Sequence, residues 1–190
     1  MRSLSPDEVV EVLRKLHELS ERQAPALLAR LKHMGRLDFP SARGVGRGHR
    51  ACYALDEVLR IVIAFQLIET GVASAWAVEI VSAEWSMMAD ALAGASTEAA
   101  TPMAVLRPRA LATLGVPAGG RRQAWGAGGL ARRRSALGGG GERGSTAMVV
   151  IDLWHMLRKV RSLLIDLPNL SLKEFDAALA LVGQTARVFD

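Results

Sequence analysis

The sequence predicts a mainly α-helical fold, compact and helical over residues 1–95 and a smaller α+β region over 96–190. Three observations lead there. Half of the 190 residues are hydrophobic but only 5% are aromatic, and Ala, Leu and Val supply most of the apolar mass, a mixture that favours helix. Apolar residues recur at three- and four-residue intervals behind Ser-x-x-Glu or Ser-x-x-Gln steps, as in capped amphipathic helices. Only Met103–Leu106 and Thr146–Leu153 have the β-branched character of short strands that could pair.

Residues 5–19 open with Ser5-Pro6-Asp7-Glu8, a capping box with proline at the first helical position. Val9, Val10, Leu13, Leu16 and Leu19 then share one face of a helix. Ser20-Glu21-Arg22-Gln23 repeats the capping pattern. Pro25 would block a hydrogen bond of a helix begun at Glu21, so the second helix is expected to start near Arg22 to Ala24. It should turn Leu27, Leu28 and Leu31 inward and Arg30 and Lys32 outward, with Gly35 as a left-handed C-cap.

Charge is unevenly placed. Residues 22–50 hold seven Lys or Arg against Asp38 alone, and residues 107–143 hold eight Arg against Glu142 alone. The remaining residues have nine basic against seventeen acidic side chains. Two basic blocks on an otherwise acidic chain argue for directed binding of a polyanion. Between Pro40 and Tyr53, glycines 44, 46 and 48 alternate with Arg43, Arg47, His49 and Arg50, a flexible tip that can lay guanidinium groups along phosphates or a minor groove. A short helix with a cationic outer face, after a tight turn, has the anatomy of a recognition helix. The pattern predicts a helix-turn-helix with a basic wing. Arg30 and Lys32 could meet guanine edges or phosphates, and Gln23 an adenine.

Gly35, Leu37, Pro40, Arg43, Gly46, Arg50, the step Tyr53-x-x-Asp56, Val58, Leu67 and Gly71 together resemble the MerR-like winged helix-turn-helix over about residues 22–81. The resemblance implies DNA contacts from the second helix and the wing, and a gene-regulatory function. Leu31 and Lys32 stand where that family has an aromatic late in its recognition helix, and Ala54 where it has a hydroxyl cap after the wing tyrosine.

Asp56 and Glu57 should start a third helix through Leu59, Val62, Ile63, Leu67 and Ile68 to a stop at Gly71. Ser74 should cap a further helix from Ala75 to about Leu92, with Trp76, Ile80, Val81, Trp85 and Met88 read as core rather than an effector pocket. Residues 94–102 read as a linker. Gly115 to Ser145, rich in Gly, Ala and Arg, is expected to form a long flexible excursion. Two more helices are expected, Leu153 to Leu167, stopped by Pro168, and Leu172 to about Val188. They could pack on the core or form a dimer.

Catalytic chemistry is not expected. The glycines of 44–48 lack the preceding strand and following helix of a dinucleotide loop, and Gly139–Thr146 has Ser145 where a phosphate-loop lysine belongs. His17, His33, His49 and His155 are scattered without metal-ligand spacing. Cys52, the only cysteine, excludes an internal disulfide and reads as structural. No secretory signal or membrane span is expected, and the cytoplasm is the default compartment.

The reading is a sequence-specific, non-enzymatic DNA-binding transcriptional regulator without a cofactor or metal. Its expected contacts are Arg22, Gln23, Arg30, Lys32, His33 and Arg36 on and beside the second helix, then Arg43, Arg47, His49, Arg50 and Tyr53 in the wing. Double-stranded DNA is the expected partner; homodimerisation and contact with RNA polymerase or another regulator are open. The alternative is a protein–protein adaptor whose Arg/Gly segment touches RNA or an acidic partner. Replacing Arg47 and Arg50 with Ala should weaken duplex binding and flatten its salt dependence. The expected change is about one unit of log–log slope for each phosphate left unneutralised, read from titrations at several salt concentrations.

Overall fold

The computed structural model describes residues 3–40, 52–95, 102–108, 125–132, 149–166 and 171–186. It is mainly helical. Among the described residues, seven helices run as α1 (Pro6–Leu16), α2 (Ala24–Gly35), α3 (Leu55–Glu69), α4 (Ser74–Ala83), α5 (Trp85–Ala95), α6 (Leu153–Ile165) and α7 (Leu172–Ala186). Three strands, β1 (Pro102–Pro108), β2 (Trp125–Arg132) and β3 (Val149–Asp152), form an antiparallel sheet in the order β2-β1-β3.

One apolar cluster holds the helices together. α3 lies at its middle and buries Leu55, Val58, Leu59, Ile61, Val62, Ile63, Ala64, Phe65 and Leu67, which between them cover nearly every direction around its axis. α1 adds Val9, Val10, Val12, Leu13 and Leu16. The same cluster takes in Leu153, Val160 and Leu164 of α6 and Phe175, Leu179 and Val182 of α7. Core packing is therefore where the two C-terminal helices go, and the apolar interior runs across residue 95 without a break. Trp85 and Met88 are buried in it.

The helix ends follow local chemistry. Ser5 caps α1 with a reciprocal box: Glu8 Oε2 accepts from the Ser5 amide at 2.8 Å and its hydroxyl at 2.9 Å, and the Glu8 amide donates back to Ser5 Oγ at 3.3 Å. α1 closes with Glu18 in the left-handed region (φ 54), where the Leu19 amide reaches the Arg14 carbonyl at 2.9 Å. α3 closes in the same way on Gly71 (φ 92), with the Val72 amide on the Leu67 carbonyl at 3.1 Å and the Gly71 amide on that of Ile68 at 3.0 Å. This is the double-bonded left-handed stop that glycine permits.

Four expectations are corrected. Gly35 is not the left-handed cap of α2 but its last helical residue; the left-handed position falls at Asp38 (φ 55). There the Phe39 amide bonds to the Met34 carbonyl at 3.3 Å and the Asp38 amide to that of Gly35 at 3.2 Å. Burial decides the position, because this closure buries Phe39 and Met34, and Asp tolerates the left-handed conformation better than most residues. The helix expected from Ala75 to Leu92 is two, meeting at Glu84 (φ −105, ψ 13). The bend lets α4 pack on α3 while α5 packs on α6 and α7. Ser74 is the first helical residue of α4, and Ala73 occupies the cap position. Within Gly115–Ser145, Trp125–Arg132 is an extended strand whose backbone pairs with β1 from Pro102↔Arg132 to Pro108↔Trp125. Main-chain pairing orders it where composition predicts only excursion.

Gly35 is helical and exposed, and a Cβ added there meets nothing within 4 Å. Gly35→Ala should stabilise the fold by about 0.5–1 kcal/mol, whereas Gly71→Ala, at φ 92, should destabilise it by about 1 kcal/mol or more. Urea midpoints of the two variants, moving in opposite directions, check this.

Candidate nucleic-acid interface

α2 follows a 3-10 turn over Glu21–Gln23 and presents an apolar stripe, Leu27, Leu31 and Met34, to α1 and α4. The turn resolves the conflict set by Pro25: the tighter turn absorbs the start of the capping box, and the α-helix begins at Ala24, one residue before the ring. Outside the stripe the chain exposes Arg22, Gln23, Arg30, Lys32, His33 and Arg36.

These cations are unpaired among the described residues. Elsewhere among the described residues the basic side chains mostly meet acids. Arg14 bonds Glu11 at 2.7 Å, with Lys15 at 3.4 Å from the same carboxylate. Arg161 bonds Asp176 at 3.0 Å, and Lys159 lies 3.8 Å from Glu18. The Arg14 bond holds the Glu11 carboxyl below its ordinary value. A cationic last turn also suits the negative end of a helix, which accounts for Lys32, His33 and Arg36 without any ligand. It does not account for Arg22, at the positive end, where the dipole opposes it.

The face is not uniform. Successive helical residues are about 100° apart, so Arg30 and Lys32, either side of the buried Leu31, flank the apolar stripe from opposite sides. Arg30 shares its flank with Ala26, while Lys32 shares its own with Pro25, Ala29 and Arg36; His33 lies between them beside Ala26, and Arg22 precedes the helix in the 3-10 turn. Gln23 differs from the other sequence-predicted contacts. Its Oε1 accepts from the Ser20 amide at 2.9 Å and the Ser20 hydroxyl at 3.0 Å, so the acceptor half of the amide is engaged within the protein.

Arg43, Arg47, His49 and Arg50 lie outside the described residues. The two ends of their segment are held. Tyr53, half-buried, exchanges backbone hydrogen bonds with Leu4 at 2.7 and 2.8 Å, and burial, aided by the charge of Glu57, raises its phenol pKa. Pro40 is buried, and its carbonyl accepts from Arg60 Nη1 at 3.1 Å. Arg60 is a site residue that sequence reasoning missed. Its guanidinium lies 4.5 Å over the Trp85 ring and 3.8 Å from Asp56; burial lowers its pKa, against the raising effect of Asp56 and Glu57. The Arg60–Asp56 spacing is visible in sequence, but nothing local announces Pro40 or Trp85.

His17 has a partner that the sequence does not announce. The histidines carry no carboxylate partner by spacing, yet His17 Nδ1 meets Glu69 Oε2 at 2.5 Å across 52 residues. The ring is buried, and among the described residues its Nε2 has no partner. This pair joins the C-terminal ends of α1 and α3. His33 is exposed, and the backbone amide of His155 caps onto Asp152 at 2.9 Å. Cys52 is a free, exposed thiol. Among the described residues no group of three His, Cys, Asp or Glu could hold a metal ion, and no helix is long and apolar enough to cross a membrane.

Comparison of the chain with known protein families, with curated proteins and with solved structures gives no match. Arg60→Met should destabilise the fold by about 1–2 kcal/mol, because it removes a charge-assisted bond and a cation–π interaction. A urea midpoint that falls at constant slope is the expected readout.

Proposed function

We propose that this chain is a sequence-specific DNA-binding transcriptional regulator with a MerR-like winged helix-turn-helix. In this reading α1 and α2 form the helix-turn-helix, and the basic segment between Pro40 and Tyr53 forms the wing. One observation carries the proposal. Arg22, Arg30, Lys32 and Arg36 are exposed around α2 with no carboxylate among the described residues to neutralise them, whereas Arg14, Lys15, Arg60, Lys159 and Arg161 have acidic neighbours. Unneutralised cations around one short helix suit a row of phosphates, which supply most of the affinity and its salt dependence. Arg60 on the Pro40 carbonyl and Leu4 on the Tyr53 backbone hold the two described ends of the segment that this reading takes as the wing. Regulators of this kind read paired half-sites as dimers, so a second copy of the chain is the first partner in this reading. RNA polymerase or another regulator is the next, and the cytoplasm is the compartment.

The test is selection of bound fragments from random duplex DNA by the full chain, followed by titration of the selected duplex at several salt concentrations. Expected are a recurring motif and a log–log salt slope of about −0.9 for each phosphate contacted. Retention of single-stranded RNA in preference to every duplex would instead favour the adaptor reading.

A further inference from the structure

The hydrogen-bonding groups on α2 are nearly all of one kind. Between Ala24 and Gly35 the exposed polar side chains are Arg30, Lys32 and His33, and Arg36 follows at the cap. Arg and Lys are donors only, and His offers one acceptor when neutral. The nearest amide, Gln23, has its oxygen held by Ser20 at 2.9 and 3.0 Å. The exposed carboxylates nearest in the chain, Glu21 and Asp38, lie beyond either end of the helix.

In the major groove, adenine needs a donor and an acceptor together, cytosine offers a donor and needs an acceptor, and guanine offers two acceptors, N7 and O6. A donor-only face thus matches the two acceptors of guanine, meets a single acceptor (O4) beside a methyl group at thymine, and mismatches adenine and cytosine. Position then separates the cations. Lys32 and Arg36 are four residues apart, neighbours on the surface, and point away from the stripe of Leu27, Leu31 and Met34. Ala29 lies beside them, small enough to let the helix approach base edges. Arg30 lies on the opposite flank with Ala26, nearer the packed side of α2, and Arg22 stands in the 3-10 turn just before the helix.

We infer that Lys32 and Arg36 read guanines in the major groove, while Arg22 and Arg30 hold a phosphate row. This rests on the duplex-binding reading above. The test uses the full chain, the selected duplex and the same duplex carrying 7-deazaguanine, which keeps base pairing but lacks N7. Replacement of the contacted guanines is expected to weaken binding about fivefold or more, the low end for one good base contact. Lys32→Ala should narrow the difference between the two duplexes, leaving only the part that Arg36 carries. Arg30→Ala should weaken both by the same factor and reduce the salt slope by about one. Both positions are exposed, and circular dichroism of the variants checks that they fold. Equal affinity of the parent protein for the two duplexes overturns the guanine assignment and leaves DNA binding standing. Loss of discrimination in Arg30→Ala but not in Lys32→Ala overturns the division of roles. Failure to bind any duplex overturns the inference together with the reading beneath it.

Discussion

Burial of α3 on nearly all sides is the constraint on which the rest of this structure depends. A helix with nine buried residues in fifteen cannot satisfy itself with one partner, so α1, α4 and α7 are drawn around it. Each fully buried Val, Leu, Ile or Phe contributes about 1.5–3 kcal/mol relative to exposure. α2 is held at the margin of this arrangement. It commits Leu27, Leu31 and Met34 to the core, with Ala24 and Leu28 packed at its edge, and leaves Arg30, Lys32 and His33 exposed.

Polar contacts then set angles rather than supply the bulk of stability. The Arg60 guanidinium joins α3 to the turn after α2 and to Trp85 of α5. His17 and Glu69 tie the far ends of α1 and α3 together. Exposed ion pairs such as Arg161–Asp176 contribute little, about 0–1 kcal/mol, yet they withdraw those cations from any role with a polyanion. The division between neutralised and bare basic residues is thus a consequence of where the acids fall on the amphipathic helices.

Much of this is legible in sequence where the cause is local. Ser5 with Glu8 locates the start of α1, Pro25 the start of α2 and Gly71 the end of α3, because a cap or a positive φ is decided by a few neighbouring residues. The exposure of Arg30 and Lys32 follows from the helical period. Where tertiary packing decides, the signal is absent. Nothing at Glu84 marks a break, since it holds neither Gly nor Pro and the bend serves partners on separate helices. Asp38, not Gly35, takes the left-handed position because the burial of Phe39 outweighs the preference for glycine. Arg60 with Pro40, and His17 with Glu69, join residues that no spacing rule connects.

The bridge between Leu4 and Tyr53 also bears on the order in which the chain assembles. Bringing residues about fifty apart together costs roughly 3–4 kcal/mol in loop-closure entropy, whereas α1 and α2 meet through a short turn and need little such search. The helical pair can therefore form early, and the closing of the ring must wait until the α3 core is condensed enough to offset that entropy. On this entropy the boundary of the basic segment closes after the helical pair.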